Sequence, residues 1–459
     1  MKRVFLAGLL LSVGLAAAYG YGVTRREAHY RDLLAEGDAA VAAGDLTAAL
    51  EAFGRAIFVM PESMAAYLKR GETYTRREEF EAAQRDLRRA AELDPAAPRP
   101  RELLGDVSYA TGHFGRAVDR YEEYLALDDS SPRLFYKLAL VHYRAAQPQA
   151  CIDSIQRAID LAPQLPEAHY ALGLCLREAQ KPREALAPLR KAIALSPTLL
   201  RAREELAEVY GVLGRADDRI EELAALQALD PSPSREVALG LAHAAVGDST
   251  SAVQALGRAA RRHPDYRYTY VALGRVWLDV AQARDDRVAL GKALEALEQA
   301  VAAEDNREAL VLLGRALLID SKFEQAERIL KEATARLPVE SAAFLHLASA
   351  AEQLGHLEVA RGALLDYQAL EPHPPAARRS SRLAVRIADL SMRLKDYPGA
   401  AVWYQRASEA TSADPALLVR LAEAHWRAGS ADTARAALGR ALALDPANAA
   451  ALALQRRMR

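Results

Sequence analysis

The stretch LRKAIALSPTLLRA, Leu189–Ala202, carries a helix-favouring run that stops at Ser196-Pro197 and then resumes. Proline lacks a backbone N–H, and its ring disfavours helical backbone at the residue before it. The stretch is therefore two helix segments with a break between them. The break recurs: Pro61, Pro95, Pro163, Pro197 and Pro231 lie 34 or 68 residues apart, Pro264 follows after 33, and Pro338 and Pro372 are again 34 apart. A fixed period in this range is the sign of a solenoid or an array.

The periods can be laid on one another. The frame begins at Tyr30 and restarts at Met64, Pro98, Pro132, Pro166, Leu200, Pro233, Arg267, Arg307, Ser341, Ser381 and Pro415, giving twelve repeats. The eighth position is then Gly37, Gly71, Gly105, Ala139, Gly173, Ala207, Gly240, Gly274, Gly314, Ala348, Ala388 and Ala422. Glycine is costly inside a helix, so its recurrence implies a neighbour too close for a side chain. The twentieth position is alanine except for Cys151 and Arg219, counting back from the second helix in repeat eight. The twenty-fourth is always large and apolar, from Phe53, Leu87 and Tyr121 to Tyr404 and Leu438. Each unit reads as two amphipathic helices crossing at small residues, with a large residue beside the crossing.

This pattern resembles the tetratricopeptide repeat family. In repeat five it is carried by Leu172-Gly173, then Ala185, Leu189 and Ala192, then Pro197; the family's aromatic at position four appears as Tyr67, Phe135, Tyr270 and Phe344, but not in every repeat. The resemblance covers Tyr30 to about Asn448. It implies an all-α, right-handed superhelical solenoid of antiparallel helix pairs, whose first helices line a concave groove. The expected organisation is a signal peptide or anchor at 1–29, repeats one to ten at 30–374, a linker at 375–380, repeats eleven and twelve at 381–448, and a polar capping helix at 449–459, which a terminal repeat needs for solubility. Repeat eight carries seven extra residues, expected between its helices around Ala283–Lys292.

Lys2 and Arg3 precede an uncharged run, Val4–Val23, with Ala16-Ala17-Ala18 within it and Arg25 and Arg26 after it. Twenty residues at helical rise just span a bilayer core, so an uncleaved anchor is one reading; a basic start, an apolar middle and a small-residue cleavage site make an exported, cleaved signal the other. Positive charge flanks both ends, which leaves orientation open. The expected location is membrane-anchored or exported, periplasmic in a bacterium. Sixty basic residues balance sixty-one acidic ones for a net charge of −1, which argues against nucleic acid as a partner.

The repeats leave little room for a catalytic domain. The chain contains no GxSxG, GxGxxG, P-loop or HExxH motif, and its ten histidines lack metal-ligand spacing. No enzyme activity, cofactor, metal or small-molecule substrate is expected. His263-Pro264-Asp265 spells the J-domain tripeptide, but Pro264 is simply the repeat-ending proline. Cys151 occupies the small position of repeat four's second helix and Cys175 the first helix of repeat five; two buried thiols and a disulfide both remain open.

On each first helix, positions 4, 7, 8 and 11 fall on the packed face, and positions 2, 5, 9, 12 and 13 point the other way. In the family the latter are the groove positions. Repeats three to five place Tyr109, Tyr136, Tyr143 and Tyr170 there, with Arg133, Arg144 and Arg177 beside them. Aromatics and arginine are the residue types that dominate binding hot spots. These residues are the candidate partner-binding groove, with the alternative that the tyrosines cover neighbouring helices. Arg275 and Arg315, and Arg382, Arg386 and Arg393, are basic stretches that read as solvated surface charge. Only two asparagines are present, Asn306 and Asn448, neither at a groove position, so the asparagine-based capture of terminal carboxylates used by chaperone-binding relatives is not expected. The implied function is a non-catalytic scaffold that binds protein segments, in bacterial envelope assembly or secretion; the alternative is a non-catalytic subunit that regulates or tethers an enzyme of a larger machine.

Overall fold

The computed structural model describes residues 2–302, 306–371, 377–410 and 414–459, the side chains of 2–19, 377–380 and 410 excepted. The described chain is helical throughout, and it divides into two compact units, Met1–Leu229 and Asp230–Arg459. Six of the twelve repeats fall in each. The division coincides with the break between repeats six and seven.

Repeats one, two, five and twelve close their second helix in the same way. The helix stops two residues before the proline, and the intervening residue leaves helical backbone: φ/ψ is −132°/85° at Met60, −135°/91° at Asp94, −138°/91° at Ser196 and −141°/90° at Asp445. Each of these residues still donates its N–H to the carbonyl four residues back, as Ser196 does to Ala192 at 2.9 Å. The proline thus ends the helix by steric exclusion while the last turn stays hydrogen-bonded.

Within a repeat, the two helices meet where the frame puts the small and large residues. A Cβ built on Gly71 would lie 2.8 Å from Leu87, one on Gly240 2.7 Å from Leu256, and one on Gly173 2.5 Å from Leu189 Cγ. Gly37 meets Phe53, Gly105 meets Tyr121 and Gly314 meets Leu330 in the same way. The large residue of one helix fills the space that the small residue of the other leaves. Leu189 is fully buried, and burial of a leucine contributes about 1.5–3 kcal/mol. Alanines at position twenty, such as Ala83, Ala185 and Ala326, are fully buried at the same crossings.

A second recurrent feature concerns the turn between the helices. Among the described residues, one per repeat has left-handed backbone, and in eleven repeats it is the fifteenth: glycine at 44, 112, 214, 247, 355 and 429, but Glu78, Ala146, Gln180, Ser321 and Lys395 elsewhere, with φ between 54° and 82°. In the remaining repeat, the eighth, the left-handed residue is Asp285. The seven extra residues there do not form a loop. They lengthen both helices, to Tyr268–Arg284 and Arg287–Val301, so Lys292 lies within the second helix, 4.4 Å from the Trp277 ring. Asp286 caps that helix by accepting from Val288 N at 2.8 Å, and the crossing of Gly274 with Leu297 is kept. Helix is the more economical way to add these residues, because an added turn satisfies its own backbone groups.

The last helix, Ala449–Arg457, buries Ala451 and Leu454 against repeat twelve and exposes its arginine end, which closes the apolar face of that unit. The expected linker at 375–380 falls partly on residues 372–376, outside the described residues; helix resumes at Ala377. Among the described residues no helix is long and apolar enough to cross a membrane. The apolar run Val4–Val23 lies mostly outside the described side chains, on the first helix, Lys2–Ala42.

Two substitutions test the frame. Gly173→Leu should destabilise the first unit by about 1–3 kcal/mol through overpacking against Leu189, seen as a lower urea midpoint; an unchanged midpoint would mean that the helices do not cross there. Ala146→Gly should stabilise it by about 0.5–1 kcal/mol, because glycine relieves the left-handed strain at a smaller entropic cost.

Candidate functional site

In the first unit, the first helices of repeats four (Pro132–Arg144), five (Pro166–Glu178) and six (Leu200–Val212) touch in succession, which lines up their outward positions along one face. Adjacent first helices are also tied by charge. Lys137 Nζ donates to Asp106 at 2.7 Å, Lys69 Nζ to Asp38 at 2.7 Å and, in the second unit, Arg420 to Asp389 at 3.2 Å. Each pair joins position six of one repeat to position nine of the repeat before.

At the repeat three edge of the face, Glu102 is nearly buried and accepts from Lys137 at 2.6 Å and Arg99 at 2.6 Å, with Arg133 4.0 Å away. Burial works to raise its pKa, but the Lys137 and Arg99 contacts outweigh burial and hold Glu102 below the usual carboxylate range. Arg99 also bridges to Glu72 at 2.6 Å. Tyr121 donates its hydroxyl to Asp106 at 2.7 Å, so the large residue of this crossing is also tied to the network.

The four candidate tyrosines gather next to this network. Tyr109 is half-buried, with its ring 6.0 Å from that of Phe114. Tyr136 and Tyr143 are half-buried against a cluster that contains Ala139, Cys151, Ile155 and Cys175. Tyr170 is half-buried against Leu176, Leu206 and Val209. Burial pushes the Tyr136 hydroxyl pKa up, Glu167 adds to the rise and Arg201 opposes it. Burial likewise raises Tyr170, with Glu205 adding and Arg201 opposing; Tyr136 and Tyr143 are also within electrostatic range. Tyr136 and Tyr170 thus share Arg201 as an electrostatic neighbour. Each tyrosine packs against the apolar core of its own or an adjacent repeat and stays only half-buried.

The arginines divide. Arg133 and Arg144 are exposed at the rim. Arg177 is engaged in an ion pair with Glu205 of repeat six, whose own pKa burial raises despite Arg177. The sequence reading missed two residues. Arg201, exposed, stands at the second position of repeat six within electrostatic range of both Tyr136 and Tyr170, and Lys137 ties the network together. The signal for Arg201 was its groove position one repeat beyond the tyrosines. In the second unit, Arg275 pairs with Glu308, Arg315 donates to Gln282, and Arg386 donates to Glu352 at 2.7 Å and Ser349 at 3.0 Å; Arg382 and Arg393 are exposed. The paired ones are commitments between repeats.

In the cluster that Tyr136 and Tyr143 pack against, the sulfurs of Cys151 and Cys175 are joined, with Cα atoms 5.8 Å apart and a sequence separation of 24. The bond fastens repeat four's second helix to repeat five's first. Closing a loop of this length stabilises by about 3 kcal/mol in the chain-entropy model. Among the described residues no group of three His, Cys, Asp or Glu is placed to hold a metal ion.

The tetratricopeptide repeat model matches residues 34–98, 73–132, 237–280 and 320–377, stretches that lie in both units. The chain is a tetratricopeptide repeat protein. A model described as anaphase-promoting complex, cyclosome, subunit 3 matches 111–192, a segment that includes Tyr136, Tyr143 and Tyr170. A curated relative, small glutamine-rich tetratricopeptide repeat-containing protein 2 of Mycosarcoma maydis, is 31% identical over 91 residues; the match spans 20% of this chain and about a quarter (26%) of the relative. Similar solved structures include YrrB, described as a tetratricopeptide repeat protein with an unusual peptide-binding site (25% identity, TM-score 0.36, 40% of this chain and 96% of that one). A tetratricopeptide repeat protein from Parabacteroides merdae is similar at 15% identity and TM-score 0.42, over 54% of this chain and 98% of that one.

The Glu102 network has a pH consequence. A carboxylate held below its unfolded pKa contributes stability above the ordinary range near pH 4–4.5 and loses it as pH falls through the folded value. Between pH 5 and 3 (a window taken from about the carboxylate reference value), wild type should therefore lose stability more steeply than Glu102→Gln. Equal slopes in urea melts would place the acid sensitivity elsewhere.

Proposed function

We propose that this protein is a non-catalytic scaffold and that the first-helix face of repeats three to six is its partner-binding site. The observation that carries the reading is that Tyr109, Tyr136, Tyr143 and Tyr170, on three successive first helices, are all half-buried, with Tyr109 in electrostatic range of Tyr136, and Tyr136 and Tyr143 in range of Tyr170. Rings fixed by packing lose little entropy on binding, and they offer apolar area together with a hydrogen-bonding edge. Arg133, Arg144 and Arg201 stand at the rim, whereas the acids of repeat three are already engaged by Lys137 and Arg99. That balance favours a protein segment with an acidic side chain beside an apolar one.

The scaffold is anchored or exported in this reading, and it serves envelope assembly or secretion. Support comes from the basic start and apolar run of the first residues, and from the Cys151–Cys175 bond, since such bonds persist in oxidising compartments. A subunit that tethers an enzyme would use the same face.

The test keeps the packing and removes the recognition groups. Tyr136→Phe with Tyr143→Phe and Arg201→Ala should weaken the affinity for a partner recovered by proximity labelling by about tenfold or more, measured by calorimetry with purified proteins, while the melting temperature holds. Unchanged affinity would remove these residues from the site.

A further inference from the structure

We propose that a cleft at the start of the repeat array is a docking surface for anionic phospholipid headgroups. The cleft, about 800 Å³, lies between the first helix of repeat one and the end of its second helix, and Arg25, Arg26, His29, Asp32 and Phe58 line it. Phe58 is 87% exposed, at the last turn of Leu46–Val59. Tyr21 and Val23 are exposed on the facing helix.

Three observations point to a lipid surface as the occupant. The first is position along the helix. The apolar run ends at Val23, and Arg25, Arg26 and His29 follow on the same continuous helix within two turns. At 1.5 Å per residue the cleft would sit at headgroup depth when the run enters a bilayer. The second is composition. Exposed aromatics beside arginine are what a membrane–water interface selects, the ring lying among the headgroups and the guanidinium against phosphate. The third is charge. Asp32 is the one carboxylate lining the cleft against two arginines, and Glu27, nearby on the helix, is occupied by Arg31 at 2.6 Å.

The geometry is held rather than incidental. Arg26 Nε donates to the Val59 carbonyl at 2.8 Å. This bond satisfies an end carbonyl of the second helix and fixes Phe58 beside the basic turn. The lipid surface would then orient the array at its first repeat, and the apolar run would have a second contact to reinforce it.

The inference rests on the anchored reading above, and the experiment separates the two. The full-length chain carrying Phe58→Cys offers a single free thiol, because Cys151 and Cys175 are joined; it is labelled there with an environment-sensitive dye and reconstituted into vesicles of phosphatidylcholine with or without phosphatidylglycerol. The expected result is co-flotation in both, with blue-shifted emission and quenching by headgroup-labelled lipid at least about twofold stronger in the anionic vesicles. Arg25→Glu with Arg26→Glu should abolish that difference while flotation continues. Flotation with a dye that stays in water would overturn the lipid surface and leave the anchor standing. Failure to float would overturn both. A blue shift without vesicles that grows with protein concentration would assign the cleft to a second copy of the chain.

Discussion

The structure depends on one repeated contact, the fit of a large side chain into the gap left by a small one where the two helices of a repeat cross. Gly71 with Leu87, Gly173 with Leu189 and Gly240 with Leu256 are instances in both units. The small residue lets the backbones approach, and the large one from the partner helix then becomes fully buried. Once the crossing is fixed, the outward positions of the first helix are fixed as well. Positions two, five, nine and twelve of successive repeats then stand in register. The tyrosine cluster follows from that register, since its four rings come from three different repeats.

The same contact explains why the seven extra residues of repeat eight are tolerated. They lie beyond the crossing, lengthen the helices on either side of the turn, and leave Gly274 against Leu297. Charge adds a second level of organisation. Lys137–Asp106, Arg177–Glu205, Arg275–Glu308 and Arg386–Glu352 each join one repeat to its neighbour. Single pairs of this kind contribute little when exposed, so their effect is on register more than on stability. The disulfide is the strongest inter-repeat link, and it belongs to the cluster that Tyr136 and Tyr143 pack against.

The crossing positions were legible in the sequence because they need residues of one size class, and size class shows as a period. The proline stops were legible for a related reason: the effect of proline on the preceding backbone is local. The left-handed turn at position fifteen was not. Glycine fills it in only half of the repeats, and Glu78, Gln180 and Lys395 give no hint of a positive φ. The pairing of Cys151 with Cys175 depends on a distance between repeats that spacing alone does not supply. Arg275 and Arg386 read as solvated charge because their partners, Glu308 and Glu352, belong to adjacent repeats. The tyrosine patch was legible as a set of positions, but its extension to Arg201 required the packing of repeat six on repeat five.

The central claim is that a partner lies along the first-helix face of repeats three to six. Site-specific photo-crosslinking in the native host tests it most directly, with the crosslinking residue placed at Leu140 on that face or at Gln156, exposed on the second helix of the same repeat. The account predicts a discrete crosslinked partner from position 140 and none from position 156. A partner captured from 156 alone would put recognition on the opposite side of the repeats and contradict the account.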